Sequence, residues 1–201
     1  RRMLKASVGA GAIGSFGQKV YRTNGGVTAE KTGLGVMLKV MQGDTVRMSV
    51  ESFYTLPGGG NVGAPLVMGV MDLIGGLTTA TGFPVSKGLT STHINAISGN
   101  PTNLNNYINN RTTPVTQARA ALNWILFDDQ FHYVSGGFEL VNNNGGYKLH
   151  NQFINNPLTA SKNGFLYIYV SNGSNLQVFF DNLVVSHTNG PIQEETHYYP
   201  F

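Results

Sequence analysis

A chain of 201 residues is long enough for one well-buried domain or two small ones, and its lack of cysteine excludes a disulfide framework and a Cys-based zinc site. Charged residues make up 11 % against about 25 % in an average soluble domain, with Gly, Asn, Ser and Thr in their place, the balance of a turn-rich β protein. The net charge of +3 is carried early, by Arg1, Arg2, Lys5, Lys19, Arg22, Lys31, Lys39 and Arg47, without the basic and aromatic interleaving that nucleic-acid binding needs.

Residues 1–33 are Gly-rich and weakly patterned. The first five are too short and polar for a signal peptide, and no apolar run is long enough to span a bilayer. Gly9, Gly11 and Gly14 superficially match a dinucleotide loop, but no hydrophobic strand precedes them and no βαβ unit follows. Residues 34–40 read as a strand and Gln42-Gly43-Asp44 as a turn. Residues 45–54 then alternate, with Val46, Met48, Val50 and Ser52 on one face and Arg47, Ser49, Glu51 and Phe53 on the other. These two strands are expected to pair as a hairpin.

Residues 64–77 carry Leu66, Val67, Val70, Leu73, Ile74 and Leu77 at helical spacing after Pro65, which suits a helix's first turn. This short apolar helix is expected to plug one end of a sandwich. Residues 78–116 are polar and Asn-rich, broken by Pro84, Pro101 and Pro114, with a second short helix near Leu104, Tyr107 and Ile108 in an otherwise long surface connection. Strand character returns over 118–134, with a turn at Asp128-Asp129, and over 138–141. After the turn at 142–146, residues 147–153 are expected to pair with 138–141. Residues 164–170 and 176–185, rich in aromatic and β-branched side chains, read as a final hairpin.

About eight strands with few helices argue for an all-β fold, an antiparallel two-sheet sandwich with one or two short inserted helices. The strand order resembles the galactose-binding-like jelly rolls of carbohydrate-binding modules, with Gly43-Asp44 early and Asp181-Asn182 in the last strand. The organisation read from the chain is a Gly-rich segment over 1–33, a sandwich over 34–186 with a helical and loop insertion at about 62–116, and an extended linker over 187–201.

Asp181 interrupts an apolar strand, where a carboxylate is costly unless it is hydrogen-bonded or holds a cation. The jelly-roll resemblance implies a structural Ca²⁺ at Asp181 alone, for which Asp44 and Glu51 are the candidate further ligands in this sequence; the alternative is a carboxylate bonded to backbone amides, with no cofactor. His93, His132, His150, His187 and His197 show neither an i, i+4 pair nor an HExxH pattern, and no GxSxG elbow is present. The pairs Asp128-Asp129 and Glu194-Glu195 would point to opposite faces of a strand. The reading is therefore a non-enzyme. For a glycan ligand the available platforms are Tyr54, Tyr107, Tyr133, Trp124 and Tyr147, because aromatic rings stack on the C–H faces of sugars. Trp124 shares a face with Leu122 and Leu126, which reads as core, whereas Tyr54 and Tyr107 lie near loops.

The tail 190–201, GPIQEETHYYPF, resembles the junction that leads into the RHS-associated core of RHS/YD-repeat proteins of Bacteroidota. The blocks 38–46, 122–134 and 164–172 (LKVMQGDTV, LNWILFDDQFHYV, GFLYIYVSN) resemble further segments of that family in the same order. The resemblance implies a secreted or cell-surface protein with its export signal outside these residues, often armed with a C-terminal toxin. This chain would be the module before the core, acting as a structural adaptor with carbohydrate recognition. The alternatives are a lectin-like adhesin module and an export-recognition domain of a type IX-like secretion substrate. The implied partners are the rest of the parent polypeptide, glycans, or secretion and outer-membrane proteins. Leu66, Val70 and Leu73 of the apolar helix and Tyr198, Tyr199 and Phe201 of the tail are the expected partner contacts, since an exposed aromatic tail needs cover.

Overall fold

The computed structural model describes residues 20–27, 30–58, 116–142 and 146–191, the helical positions 73, 95–97, 102, 104 and 107, and the backbone of 2–6. The strands are β1 (Arg2–Ala6), β2 (Tyr21–Asn24), β3 (Thr32–Val40), β4 (Thr45–Phe53), β5 (Ala120–Asp128), β6 (Tyr133–Leu140) and β7 (Lys148–His150), then, after the single-turn helix α1 (Gln152–Asn155), β8 (Leu158–Thr159), β9 (Gly164–Asn172) and β10 (Gln177–Thr188). All pairings are antiparallel. In one six-stranded sheet β1 and β2 lie on one side of β10, β4 lies on its other side, and β7 and β8 flank β4; a four-stranded sheet runs β3-β9-β5-β6. The chain is an all-β antiparallel sandwich with short helical inserts.

Alternation builds the core. In β4, Val46, Met48, Val50 and Ser52 point inward and are buried, as the period-2 pattern requires. They meet Val178, Phe180, Leu183 and Val185 of β10 and, from the facing sheet, Val36, Leu38, Leu122, Leu126, Leu166, Ile168 and Val170. The other face of the four-stranded sheet is also apolar. Met37, Ile125, Phe127, Tyr167 and Tyr169 cluster there with the helical residues Leu73, Ile97, Leu104 and Tyr107. The described helical positions between β4 and β5 therefore cover that face as a third layer. Gly136 and Gly137 of β6 fit between layers: a Cβ at Gly136 would lie 2.7 Å from the Tyr107 ring, and one at Gly137 2.5 Å from Trp124 Nε1.

Several expected pairings are corrected. β3 and β4 lie in different sheets, so the turn at Gln42-Gly43-Asp44, with Gly43 at φ +90°, hands the chain between layers instead of closing a hairpin. β9 and β10 likewise part to opposite sheets, and β7 pairs with β4, not with β6. Among the described residues, β5 and β6 alone are consecutive strands that pair. The N-terminal segment supplies β1 and β2 to the sheet, so the sandwich does not begin at residue 34. Leu73 covers a sheet face instead of plugging an end, and Ile97, Leu104 and Tyr107 of the expected surface connection are buried beside it.

A candidate recognition face

Among the described residues, the sandwich has few places for a ligand to approach. The two inner faces make the core, and the outer face of the four-stranded sheet is covered by Leu73, Ile97, Leu104 and Tyr107. The outer face of the six-stranded sheet carries the odd-numbered residues of β4 and their neighbours. Phe179 stands opposite Phe53 on one side and Arg22 on the other. Tyr147, just before β7, extends the row. The Phe53 ring centroid is 5.1 Å from that of Tyr147 and 6.4 Å from that of Phe179. Tyr147 is 65 % exposed and Leu149 51 %, while Phe53 and Phe179 are half-buried. Beyond Phe179, Arg22 pairs with Glu30 at 2.6 Å.

The next rung is polar. Asp181, Glu51 and Leu149 lie opposite one another across β10, β4 and β7. Two carboxylates facing each other are unfavourable, and a β-bulge relieves them. Between Asp181 and Val184 β10 carries one more residue than its partner stretch of β4, and Asn182 adopts φ +50°, which Asn tolerates better than most residues. Asn182 Nδ2 donates to Glu51 Oε2 at 3.0 Å, and its backbone N–H donates to Asp181 Oδ1 at 2.7 Å. The face thus joins a row of apolar ring surfaces to carboxylate acceptors and an amide, which suits a ligand with both C–H faces and hydroxyl donors.

Of the five aromatics expected as platforms, Tyr147 lies on this face and the other four lie elsewhere. Tyr54 is 2 % exposed in the inner core, because it follows Phe53 and so has the opposite direction. Trp124 packs against the same core. Tyr107 is 9 % exposed, its hydroxyl donating to the carbonyls of Trp124 at 3.0 Å and Gly137 at 2.8 Å. Tyr133 is half-buried beside it with centroids 6.0 Å apart, and burial raises its hydroxyl pKa. These four are packing residues. The exposed row was signalled by Phe53, an aromatic on the polar face that β4's alternation defines.

Of the expected cation ligands, Asp181 and Glu51 come together, but Asp44 lies at the opposite end of β4. Its carboxylate accepts the N–H groups of Met41 at 2.9 Å and Gly190 at 2.8 Å and lies 2.7 Å from His187 Nε2. Among the described residues no three His, Asp or Glu groups gather as a metal site would require, and the hydrogen bond of Asp181 is to a backbone amide. Leu73 is fully buried within the chain. Leu66, Val70, Tyr198, Tyr199 and Phe201 lie outside the described residues. Among those described, no helix is long and apolar enough to cross a membrane.

One arrangement was not foreseen. His150, 1 % exposed, sets Nε2 2.7 Å from Ser52 Oγ and Nδ1 3.6 Å from Glu139 Oε1. The order Ser, His, Glu matches a hydrolytic relay, but Ser52 is also 1 % exposed, and the group bridges the six-stranded sheet to β6 of the other. No family model matches the chain, and no curated protein or solved structure matches it.

Proposed function

We propose that the chain is a non-catalytic recognition module that binds glycan on the outer face of its six-stranded sheet and serves as a structural adaptor within a longer polypeptide. One observation carries the reading: the Phe179, Phe53 and Tyr147 rings line up on an open sheet face beside Asp181, Glu51 and Asn182. Stacking supplies contact area and the polar rung supplies direction, as in sites where a few polar groups orient a largely apolar contact. The adaptor role is supported by the grip of Asp44 on Gly190, which fixes where the chain leaves β10, at the opposite end of β4 from the aromatic row. The resemblance of residues 34–201 to RHS/YD-repeat proteins supports an extracellular or cell-surface setting, with the parent polypeptide as the adaptor's partner.

A glycan array probed with the purified 201-residue chain tests the reading. A set of related glycans should bind, and the double substitution Phe53→Ala, Tyr147→Ala should weaken that binding about tenfold or more, as removal of central aromatic contacts does, with the fold intact by circular dichroism. Silence across the array, or binding that survives the double substitution, overturns it.

A further inference from the structure

We propose that this face accepts uncharged glycan chains laid across the strands and turns away acidic ones. The inference rests on the recognition reading above and names the ligand class of that site.

The direction follows from the register. Phe179, Phe53 and Tyr147 come from β10, β4 and the approach to β7, so the row runs perpendicular to the strands. Neighbouring strands are about 4.8 Å apart, and an extended glycan crossing them presents its rings one after another to successive aromatics.

The charge preference follows from the next rung. Asp181 and Glu51 face each other immediately beside the row. Asn182 occupies Asp181 Oδ1 and Glu51 Oε2, which leaves Asp181 Oδ2 and Glu51 Oε1 to receive a ligand's donors. Ionised carboxylates only accept hydrogen bonds, so they suit hydroxyl groups and oppose a sugar that carries its own carboxylate. Among the described side chains, the nearby cations are engaged elsewhere, and the register sets Lys5 of β1 opposite Val184, beyond the bulge from Asp181. Arg22 is paired with Glu30, and the exposed Lys148, whose ammonium is bonded to the Asn142 side chain, stands opposite Ser52 and not in the rung of Asp181 and Glu51. Arg47 lies further along β4, beyond Ser49. The chain as a whole carries +3, so long-range attraction favours acidic polymers, and a preference against them can come only from groups at the site.

The test compares binding of the intact chain to neutral polysaccharides (a β-glucan, a xylan, a mannan, a galactan) and to polygalacturonate and alginate. At physiological salt, charges more than about 8 Å away are largely screened. At least one neutral polymer should bind, with the acidic polymers about tenfold or more weaker under the same screening. The near-isosteric double substitution Glu51→Gln, Asp181→Asn keeps the acceptors that Asn182 uses; it should raise acidic-polymer binding about tenfold by removing the like-charge contact, with the unfolding midpoint little changed. Acidic polymers that bind as tightly as neutral ones, in a manner lost in Phe53→Ala, overturn the charge selection while leaving glycan recognition standing. An unchanged preference in the double substitution overturns it as well. Silence with every polymer overturns recognition itself and this inference with it.

Discussion

Asp44 shows how a single residue holds several pieces of chain. Burial alone would raise its pKa, but the N–H groups of Met41 and Gly190 and the ring of His187 outweigh burial and hold it below the ordinary carboxylate value. A folded pKa below the unfolded one gives stability that is complete above the unfolded value near 3.8 and drains away as pH falls through the lowered folded value. Asp128, at the β5–β6 turn, is depressed in the same way, with burial opposed by the N–H groups of His132 and Gln130. Asp44→Asn should therefore lower stability at neutral pH by about 1–3 kcal/mol and flatten, without abolishing, the loss of stability in acid, since Asp128 remains. Thermal unfolding across an acid pH series measures both; an acid limb parallel to that of the parent would remove Asp44 as its source. The turn at Gln42-Gly43-Asp44 was legible in the sequence because Gly43 supplies the positive φ and Asp44 caps nearby amides. The partners Gly190 and His187, far along the chain, left no local signal. The same limit applied at the ligand face: alternation correctly set Phe53 outward, but nearness to a loop drew attention to Tyr54, whose direction the same alternation reverses.

At the scale of elements, β7 has a weak hold on its sheet and a strong hold through one side chain. The strand is three residues long and, among the described residues, pairs only with β4. His150 fastens it through Ser52 of β4 and Glu139 of β6, and Glu139 Oε2 also accepts the backbone N–H of Gln152 at the start of α1 at 2.9 Å. Two exposed apolar residues of this edge, Tyr147 and Leu149, belong to the recognition face. His150→Ala removes a buried ring together with its contacts to Ser52 and Glu139, so it should cost about 2–4 kcal/mol. Amide exchange of Leu149 and His150 should quicken more than that of β9, which is paired on both sides. Equal quickening in both strands would mean that His150 supports the whole fold instead of this edge. The strands themselves were readable, residues 45–54 from the period-2 pattern that burial on one face imposes and residues 164–170 and 176–185 from their aromatic and β-branched content. Their partners were not. A short turn such as 42–44 serves a hairpin or a crossing between layers equally well, and the choice is made by which apolar face each strand must bury.

The described residues stack in three layers, and this bears on which surface is left for recognition. β9 is almost wholly buried, as expected for a central strand covered on both faces. Its inward residues Leu166, Ile168 and Val170 meet the six-stranded sheet, and Tyr167 and Tyr169 meet the helical layer. The Tyr107 hydroxyl ties that layer to two strands at once, through the carbonyls of Trp124 in β5 and Gly137 in β6. A layer joined by both apolar packing and buried hydrogen bonds should unfold with the sandwich, not before it. Leu104, fully buried in the outer cluster, separates the two cases. Leu104→Ala should lower the stability of the whole chain by about 2–5 kcal/mol, the range for buried Leu→Ala changes. In a denaturant titration, Trp124 fluorescence, which reports the inner core, and far-ultraviolet circular dichroism should then shift together to the same lower midpoint. If the layer were an independent flap, Trp124 would keep its original midpoint while part of the circular dichroism was lost earlier. The outer face of the four-stranded sheet would then be a second surface open to ligands, and the six-stranded face would lose its standing as the one that the described residues leave uncovered.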